Sequence, residues 1–298
     1  MNLIKYRNWF FVFSLLVIIP GLFAIFSWRL NLGIDFAGGT LWEIRFEERQ
    51  EISSRQIQDF LTKEGAQISS VSQTSPNSTL VRLHISDEQT INQLKEKFAS
   101  NFGKTADLRL ETVGPIISRE LTQKALLAVA ISILGIVAYV TWAFRGVPKP
   151  TSSLAFGVCT IFALGHDVIV VVGIFAILGH FLAIEVDSLF ITALLTVIGF
   201  SVHDTIVVFD RIRENLKKHG EYPFEEVVNH SILQTFARSL NTSLTVVLVL
   251  LALYFFGGSS IKTFILALLI GIISGTYSSI FNAAPLLVTW HNLARRKG

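Results

Sequence analysis

The sequence predicts a polytopic α-helical membrane protein: six spanning helices, with a small α+β ferredoxin-like domain inserted between the first and the second. Three observations carry this. Of the 298 residues 51% are apolar types and only 16% are charged, against about 25% in soluble domains, and mean hydropathy is +0.55. Six stretches are long and apolar enough to cross a hydrocarbon core about 30 Å thick: residues 9–28, 125–144, 152–178, 189–209, 240–256 and 264–290. The long polar interval 29–124 alternates strand-like and helix-like patterns in the order βαββαβ. The pI near 9.0 and net charge of +3 do not indicate nucleic acid, because the basic residues collect at span ends, as membrane topology requires.

The first span follows Lys5 and Arg7. It is longer than the ~7–15 residues of a signal-peptide core and no Ala-x-Ala-like site follows, so it is expected to remain as a helix. Trp9 and Trp28 are its expected interfacial anchors. Lys5, Arg7, Arg145, Lys149, Arg211, Arg213, Lys217, Lys218, Arg238, Arg295, Arg296 and Lys297 fall on one side of the membrane, whereas the short loops on the other side hold only Lys262. That bias predicts three parts: residues 1–28, a cytoplasmic N-terminus and first helix; 29–124, an extracytoplasmic (periplasmic) βαββαβ domain; and 125–298, five further helices with a cytoplasmic C-terminus.

Within the inserted domain, TLWEIRF at 40–46 alternates as a strand does. Ser53-Ser54-Arg55-Gln56 is a capping box that opens a short helix to about Gly65, and Ser86-Asp87-Glu88-Gln89 is a second, before Ile91, Leu94 and Phe98 at helical spacing. Residues 67–74, 79–85 and 106–113 read as strands, with a turn at 75–78. His84 stands alone on a strand, and the domain shows no metal-ligand or nucleophile constellation. Ahead of it, Gly33, Gly38 and Gly39 permit tight or left-handed backbone, and Asp35 can accept hydrogen bonds from nearby amides. This is either an ordered hinge to the external domain or an ordinary linker.

Residues 145–150 form a short turn between spans two and three. Spans four and five are separated by about 30 residues. There Pro223, Phe224, Val227, Val228, Ile232 and Phe236 alternate with polar residues, predicting an amphipathic helix lying on the cytoplasmic interface. Span six carries Gly271, Gly275 and Ser279 at four-residue spacing with Ser274 and Ser278 beside them, and span five opens with Asn241-Thr242-Ser243-Leu244-Thr245. Close helix packing is the expected role of both stripes, and lining a polar path is the alternative. The single cysteine, Cys159, excludes an intrachain disulfide and argues against a cysteine-based metal site. No cofactor or metal is expected.

The chemistry lies in two His-Asp pairs inside apolar segments: His166-Asp167 in span three and His203-Asp204 in span four. A charged side chain at bilayer depth costs roughly 2.5–3.5 kcal/mol even on lenient insertion scales, so such residues mark function by default. Both aspartates fall near mid-membrane at 1.5 Å of rise per residue. Ser201 and Thr205 share a face of span four, close to Asp204. A buried carboxylate beside an imidazole can take up and release a proton, which predicts a proton path; buried hydrogen bonds that only fix helix packing are the other reading. Asp210, Arg211 and Arg213 mark the cytoplasmic end of span four, where topology and the helix dipole account for them. Intramembrane proteolysis is a remote alternative, since no His-Glu-x-x-His or dyad motif supports it.

The strings GIDFAGGT at 33–40, VGP at 113–115, GHDV at 165–168, GFSVHDTIVVFDRIREN at 199–215, QTFARS at 234–239, FGG at 256–258 and GTYSSIF at 275–281 together resemble the SecD/SecF family, a branch of the RND superfamily, on the side of its SecF members. The resemblance implies a non-enzymatic accessory subunit of the Sec translocase in the bacterial plasma (inner) membrane, half of a twelve-helix RND-type unit whose other half is SecD. It implies contact with the SecYEG channel and, beyond it, a YajC-type accessory subunit and a membrane insertase. The pair would use the proton motive force to complete export of an unfolded preprotein. It carries the proton role to Asp167, with Ser201, Asp204 and Thr205 as neighbours. Two positions depart from the family: His203 stands where Asn is frequent, and Ser201 where some members carry Arg. An RND-type exporter of small molecules or lipids, which six helices could form only as a homodimer, and a purely structural brace for SecD and the channel are the competing readings.

Overall fold

The computed structural model describes residues 2–47, 52–75, 77–85 and 87–297. It divides into two units, Met1–Asn31 with Leu126–Gly298, and Leu32–Ala125. Among the described residues six helices are long and apolar enough to cross a membrane.

The smaller unit begins with one helical turn, α2 (Ile34–Ala37), and then follows the order β1 (Gly39–Phe46), α3 (Ser54–Lys63), β2 (Ile68–Ser75), β3 (Ser78–Leu83), α4 (Glu88–Phe102), β4 (Thr105–Val113). The sheet runs β2-β3-β1-β4 with every neighbouring pair antiparallel. Each amphipathic helix follows a strand and returns the chain to the same face, which produces this interleaved order. The core lies beneath that face: Trp42, Ile44 and Phe46 of β1 and Val81 and Leu83 of β3 meet Ile57 and Leu61 of α3 and Leu94 and Phe98 of α4. Phe98 stands at its centre, in ring contact with Trp42, Phe60 and Phe102.

The Ser53–Gln56 capping box forms in full, the side chain of each residue satisfying the backbone amide of the other. The expected second box differs. Ser86 lies outside the described residues, and the N-cap of α4 is Asp87, which accepts the Thr90 amide at 2.9 Å and the Thr90 hydroxyl at 2.6 Å. Asp is as good an N-cap as Ser, and placed one residue on it satisfies the amide of Thr90. At the domain's entrance the amides of Phe36 and Ala37 bond to the Gly33 carbonyl. Gly38 (φ +75°) and Gly39 (φ +117°) then turn the chain into β1. A Cβ on Gly39 would collide with the Leu83 carbonyl, so only glycine allows β1 to pair with β3 there.

The larger unit contains α1 (Arg7–Ser27), the membrane part of α5 (Pro115–Ala143), α6 (Ser153–Leu182), α7 (Ser188–Lys218), α8 (Phe224–Phe256), and a sixth span built from α9 (Lys262–Ser278), a π-turn (Ser279–Ala283) and α10 (Ala284–Lys297). Glycine sets the closest approaches. Gly21 of α1 meets Gly173 of α6 so tightly that a Cβ on Gly173 would lie 2.5 Å from the Gly21 Cα. On α9, Gly271 faces Val197 and Gly275 faces Ser201 of α7. Small residues that admit neighbouring backbones are the usual contact in membranes, where hydrophobicity does not draw helices together. Phe144 and Phe156 stack where the α5–α6 turn meets α7, and Phe209 meets both rings edge-on, all three buried.

The expected interfacial helix at 223–236 is corrected. It is the first part of the 33-residue α8 and continues into the fifth span. No glycine or proline interrupts 224–256, so nothing stops the helix, and at 1.5 Å per residue it outruns the hydrocarbon core. Its apolar residues pack inward: Phe224, Val227, Val228 and Ile232 are buried. Glu225 accepts Arg7 at 3.3 Å and Asn292 at 2.8 Å, and Asn229 accepts the Leu3 amide at 2.7 Å.

Candidate functional site

Asp167 lies at the midpoint of the 30-residue α6 and is 1% exposed. Two neighbouring helices, α7 and α9, and the adjacent residue of α6 itself supply this buried carboxylate with partners. Ser201 of α7 donates to Oδ2 at 2.5 Å. Ser278 of α9 donates to the same oxygen at 2.7 Å, and Ser274, one helical turn earlier, donates to Oδ1 at 2.7 Å. His166 Nδ1 lies 2.9 Å from Oδ1. Four hydrogen-bonding groups thus hold one carboxylate, which is what a charge taken from water needs to remain tolerable. Thr205 stands behind this cage: its hydroxyl bonds to the Ser201 carbonyl at 2.9 Å.

Asp204 forms a second, separate centre. It is 2% exposed and accepts Ser243 of α8 at 3.3 Å, whose hydroxyl in turn receives Thr276 of α9 at 2.6 Å. The sixth span therefore serves both carboxylates, Asp167 with residues 274 and 278 and Asp204 with residue 276. The two His-Asp pairs are not equivalent. His166 is buried and within hydrogen-bond distance of its aspartate. The His203 ring nitrogen is 3.9 Å from Asp204 and its side chain is 67% exposed, on the outer surface of the bundle and beyond hydrogen-bond reach. Adjacent residues on a helix diverge by about 100°, so a carboxylate that faces inward leaves its neighbour free to point outward.

Asp210 and Arg213 pair with each other at 2.5 Å, and Arg211 pairs with Glu214 at 2.8 Å. Arg213 also donates to the Ala143 carbonyl at 3.3 Å and lies 5.5 Å from the Phe144 ring centre, fastening the end of α5 to α7. These residues lie more than one helical turn beyond Asp204, toward the C-terminal end of α7. Gly33, Asp35, Gly38 and Gly39 belong to the entrance of the smaller unit and are not part of this constellation. Among the described residues no group of three His, Cys, Asp or Glu side chains is placed to hold a metal ion.

Ser243, Ser274 and Ser278, read from the sequence chiefly as packing residues, bond directly to the carboxylates, and Thr276, which the sequence reading did not single out, reaches Asp204 through Ser243. On α9 the two roles divide: Gly271 and Gly275 take the close packing, while Ser274 and Ser278 take the Asp167 carboxylate and Thr276 takes Ser243 beside Asp204. Polarity was the available signal, because Ser and Thr in an apolar span repeat at positions that Ala would fill equally well.

These features define a class: a multi-pass helical membrane protein that buries two carboxylates at mid-bundle and carries a small α+β domain between its first two spans. Two family descriptions match the chain, the C-terminal region of the protein export membrane proteins SecD/SecF over residues 93–293 and the SecD/SecF GG motif over residues 23–48. The chain belongs to the SecD/SecF family. It is 49% identical to the protein translocase subunit SecF of Thermobaculum terrenum, over 98% of this chain and 94% of that one. It is 41% identical to the protein translocase subunit SecDF of Thermus thermophilus, over 92% of this chain but only 36% of that longer protein. The crystal structure of SecDF, a translocon-associated membrane protein from Thermus thermophilus, superposes with a TM-score of 0.85 at 37% identity, covering 98% of this chain and 39% of that one.

Proposed function

We propose that this chain is the SecF-type subunit of the Sec protein translocase, and that it works with SecD to couple the proton gradient to late steps of preprotein export. The observation that carries the reading is the caged carboxylate of Asp167. An ionised carboxylate accepts from all four of its neighbours. Adding a proton converts one accepting position into a donor, so one of the four must reverse its hydrogen bond or turn away. Ser278 has somewhere to turn, because the Gly275 carbonyl lies 3.2 Å from its hydroxyl. The donors belong to α6, α7 and α9, so each protonation loosens a clamp between helices and each release restores it. His166, beside the same carboxylate, suits the role of exchange partner. Asp204, with Ser243 and Thr276, is the neighbouring polar centre, and His203 would act only through the outer surface of the bundle.

The relatives support the partnership. Some are single SecDF chains of which this one spans about two fifths, leaving the remainder to be supplied by a separate SecD. The six helices are then half of an RND-type unit. The charge bias places both termini in the cytoplasm and residues 29–124 outside, in a bacterial plasma membrane. There the Gly33–Gly39 entrance transmits motion to the external domain, and SecYEG, with its YajC-type and insertase companions, and the unfolded preprotein are the contacts. No catalytic step is assigned to the chain. A second reading, a structural brace, draws on the same saturation of Asp167, since fully satisfied polar clusters also specify packing.

Coexpression of this chain with the SecD of its own genome, followed by native-gel mass determination and an export assay in inverted vesicles, tests the proposal. A complex of the two chains that raises gradient-dependent preprotein export is expected. A stable homo-oligomer that ignores SecD and leaves export unchanged would overturn it.

A further inference from the structure

The polar groups described above end at Asp204 on α7, but on α8 they continue. Ser231, Thr235, Ser239 and Ser243 recur every fourth residue and so lie along one face of that helix. All four are buried, with exposures of 0%, 4%, 2% and 5%. One end of the row is Ser243, bonded to Asp204. The other is Ser231, which accepts from Asn215 of α7 at 2.9 Å. Asn215 also lines a cavity of about 440 Å³, with His219, Tyr222, Glu226 and His230 among its polar walls, where α7 ends and α8 begins. Between Asp204 and Asn215, α7 places the buried apolar residues Val208 and Ile212 at the same four-residue spacing, so the polar connection lies on α8.

Three hydroxyls of the row have protein partners. Ser231 donates to the Val227 carbonyl at 2.7 Å, Thr235 to the Ser231 carbonyl at 3.0 Å, and Ser243 to Asp204. The fourth does not: the Ser239 hydroxyl is fully buried with no protein partner. Leaving a buried hydroxyl unsatisfied costs roughly 1–3 kcal/mol, and nature usually settles such groups with water. The oxygens of Thr235 and Ser243 stand one turn away on either side, about 6 Å in side-chain spacing, a gap that one water closes with two ordinary hydrogen bonds.

Resting on the proton-relay reading of the preceding section, we infer that Ser239 is a water site and that the α8 hydroxyl row is a hydrated track carrying protons from the Asn215 cavity to Asp204. The water carries the proton and the hydroxyls orient it without ionising: Ser231 and Thr235, whose own hydrogens go to backbone carbonyls, accept from it, and the unpartnered Ser239 hydroxyl can accept or donate. A row meant only for packing would be served equally by alanine and would leave no hydroxyl without a partner.

The test uses the full chain assembled with SecD in membrane vesicles, with Cys159→Ala to remove the one native thiol. Ser239→Cys, a near-isosteric change, is probed with a small charged methanethiosulfonate. Leu248→Cys on the same helix, 58% exposed on the outer surface of this chain, is the control outside the row. Only a thiolate reacts, and a thiolate forms only where water reaches, so the Ser239→Cys thiol is expected to react about tenfold faster or more than the control. Ser239→Val, which fills the water position, is expected to reduce gradient-dependent export at normal protein levels, whereas Ser239→Ala reduces it less. Reaction no faster than at Leu248→Cys, with Asp167→Asn still abolishing gradient-dependent export, overturns the track and leaves the relay standing. Fast labelling with export unaffected by both Ser239→Val and Asp167→Asn overturns the proton role of track and relay together.

Discussion

Replacing Asp167 with Asn separates the proton role from the structural one, because the two predict different sizes of effect. Asn has nearly the same shape. Its carbonyl oxygen still accepts, while its amide cannot, so at most two of the four hydrogen bonds at Asp167 lose their acceptor. If the amide takes the Oδ2 position, Ser278 retains the Gly275 carbonyl, and the Ser201 hydroxyl can rotate to accept from the amide. Interhelical hydrogen bonds in membranes average about 0.6 kcal/mol, with a maximum near 1.7. The loss is therefore about 1–3 kcal/mol, which a domain of ordinary stability, about 5–15 kcal/mol, survives. The variant should accumulate and bind SecD normally. A group that cannot exchange protons, however, stops the cycle completely. The assay is preprotein export in inverted vesicles with and without a proton gradient, scored at equal protein level. Export that still responds fully to the gradient would refute the proton role and leave the brace. Loss of the protein itself would show that the hydrogen-bond accounting is wrong.

Three further outcomes follow from the geometry. Gly173→Leu drives a side chain into the Gly21 backbone and should cost about 1–3 kcal/mol of overpacking or more; lower accumulation and faster proteolysis between the first two spans would show it, and wild-type protease resistance would contradict the close α1–α6 crossing. Gly39→Ala adds a Cβ against the Leu83 carbonyl at φ +117°, with a strain of about 1–3 kcal/mol. Amide exchange in β1 and β3 should rise in the full-length protein while the bundle stays protected. The Asp87 carboxyl is held below the usual carboxylate value by the Thr90 hydroxyl first and then by the Thr90 amide. Because the folded value is the lower one, the cap's contribution is fully present above the unfolded carboxylate value and is lost as pH falls through the folded one. Amide protection at the start of α4 should therefore weaken on acidification, and Asp87→Asn should remove that dependence; an acid response equal in both proteins would contradict it.

Much of this molecule is written in local pattern. A bilayer demands about twenty apolar residues per span and forbids unpaired backbone, so composition alone locates the six helices. Period-two and period-3.6 alternation, with capping residues such as Ser53 and Gln56, lays out βαββαβ before any contact is known. The rarity of a carboxylate in an apolar span singles out Asp167 and Asp204, and long strings such as GFSVHDTIVVFDRIREN carry the family.

What local pattern does not contain is rotation and registry between helices. Periodicity places Ser274, Thr276 and Ser278 on α9, but only the packing of α9 against α6, α7 and α8 turns the first and third toward Asp167 and the second toward the Asp204 centre. The same packing leaves His203 outside while His166 is inside, though the two dipeptides are identical. It buries the apolar face of 224–236, which hydrophobic alternation alone could equally assign to a membrane surface. The physical reason is common to all three cases. Hydrophobicity is a property of a segment and can be summed along the chain, whereas which face of a helix is inside depends on glycine contacts such as Gly21–Gly173 and Gly275–Ser201, made between residues far apart in the chain.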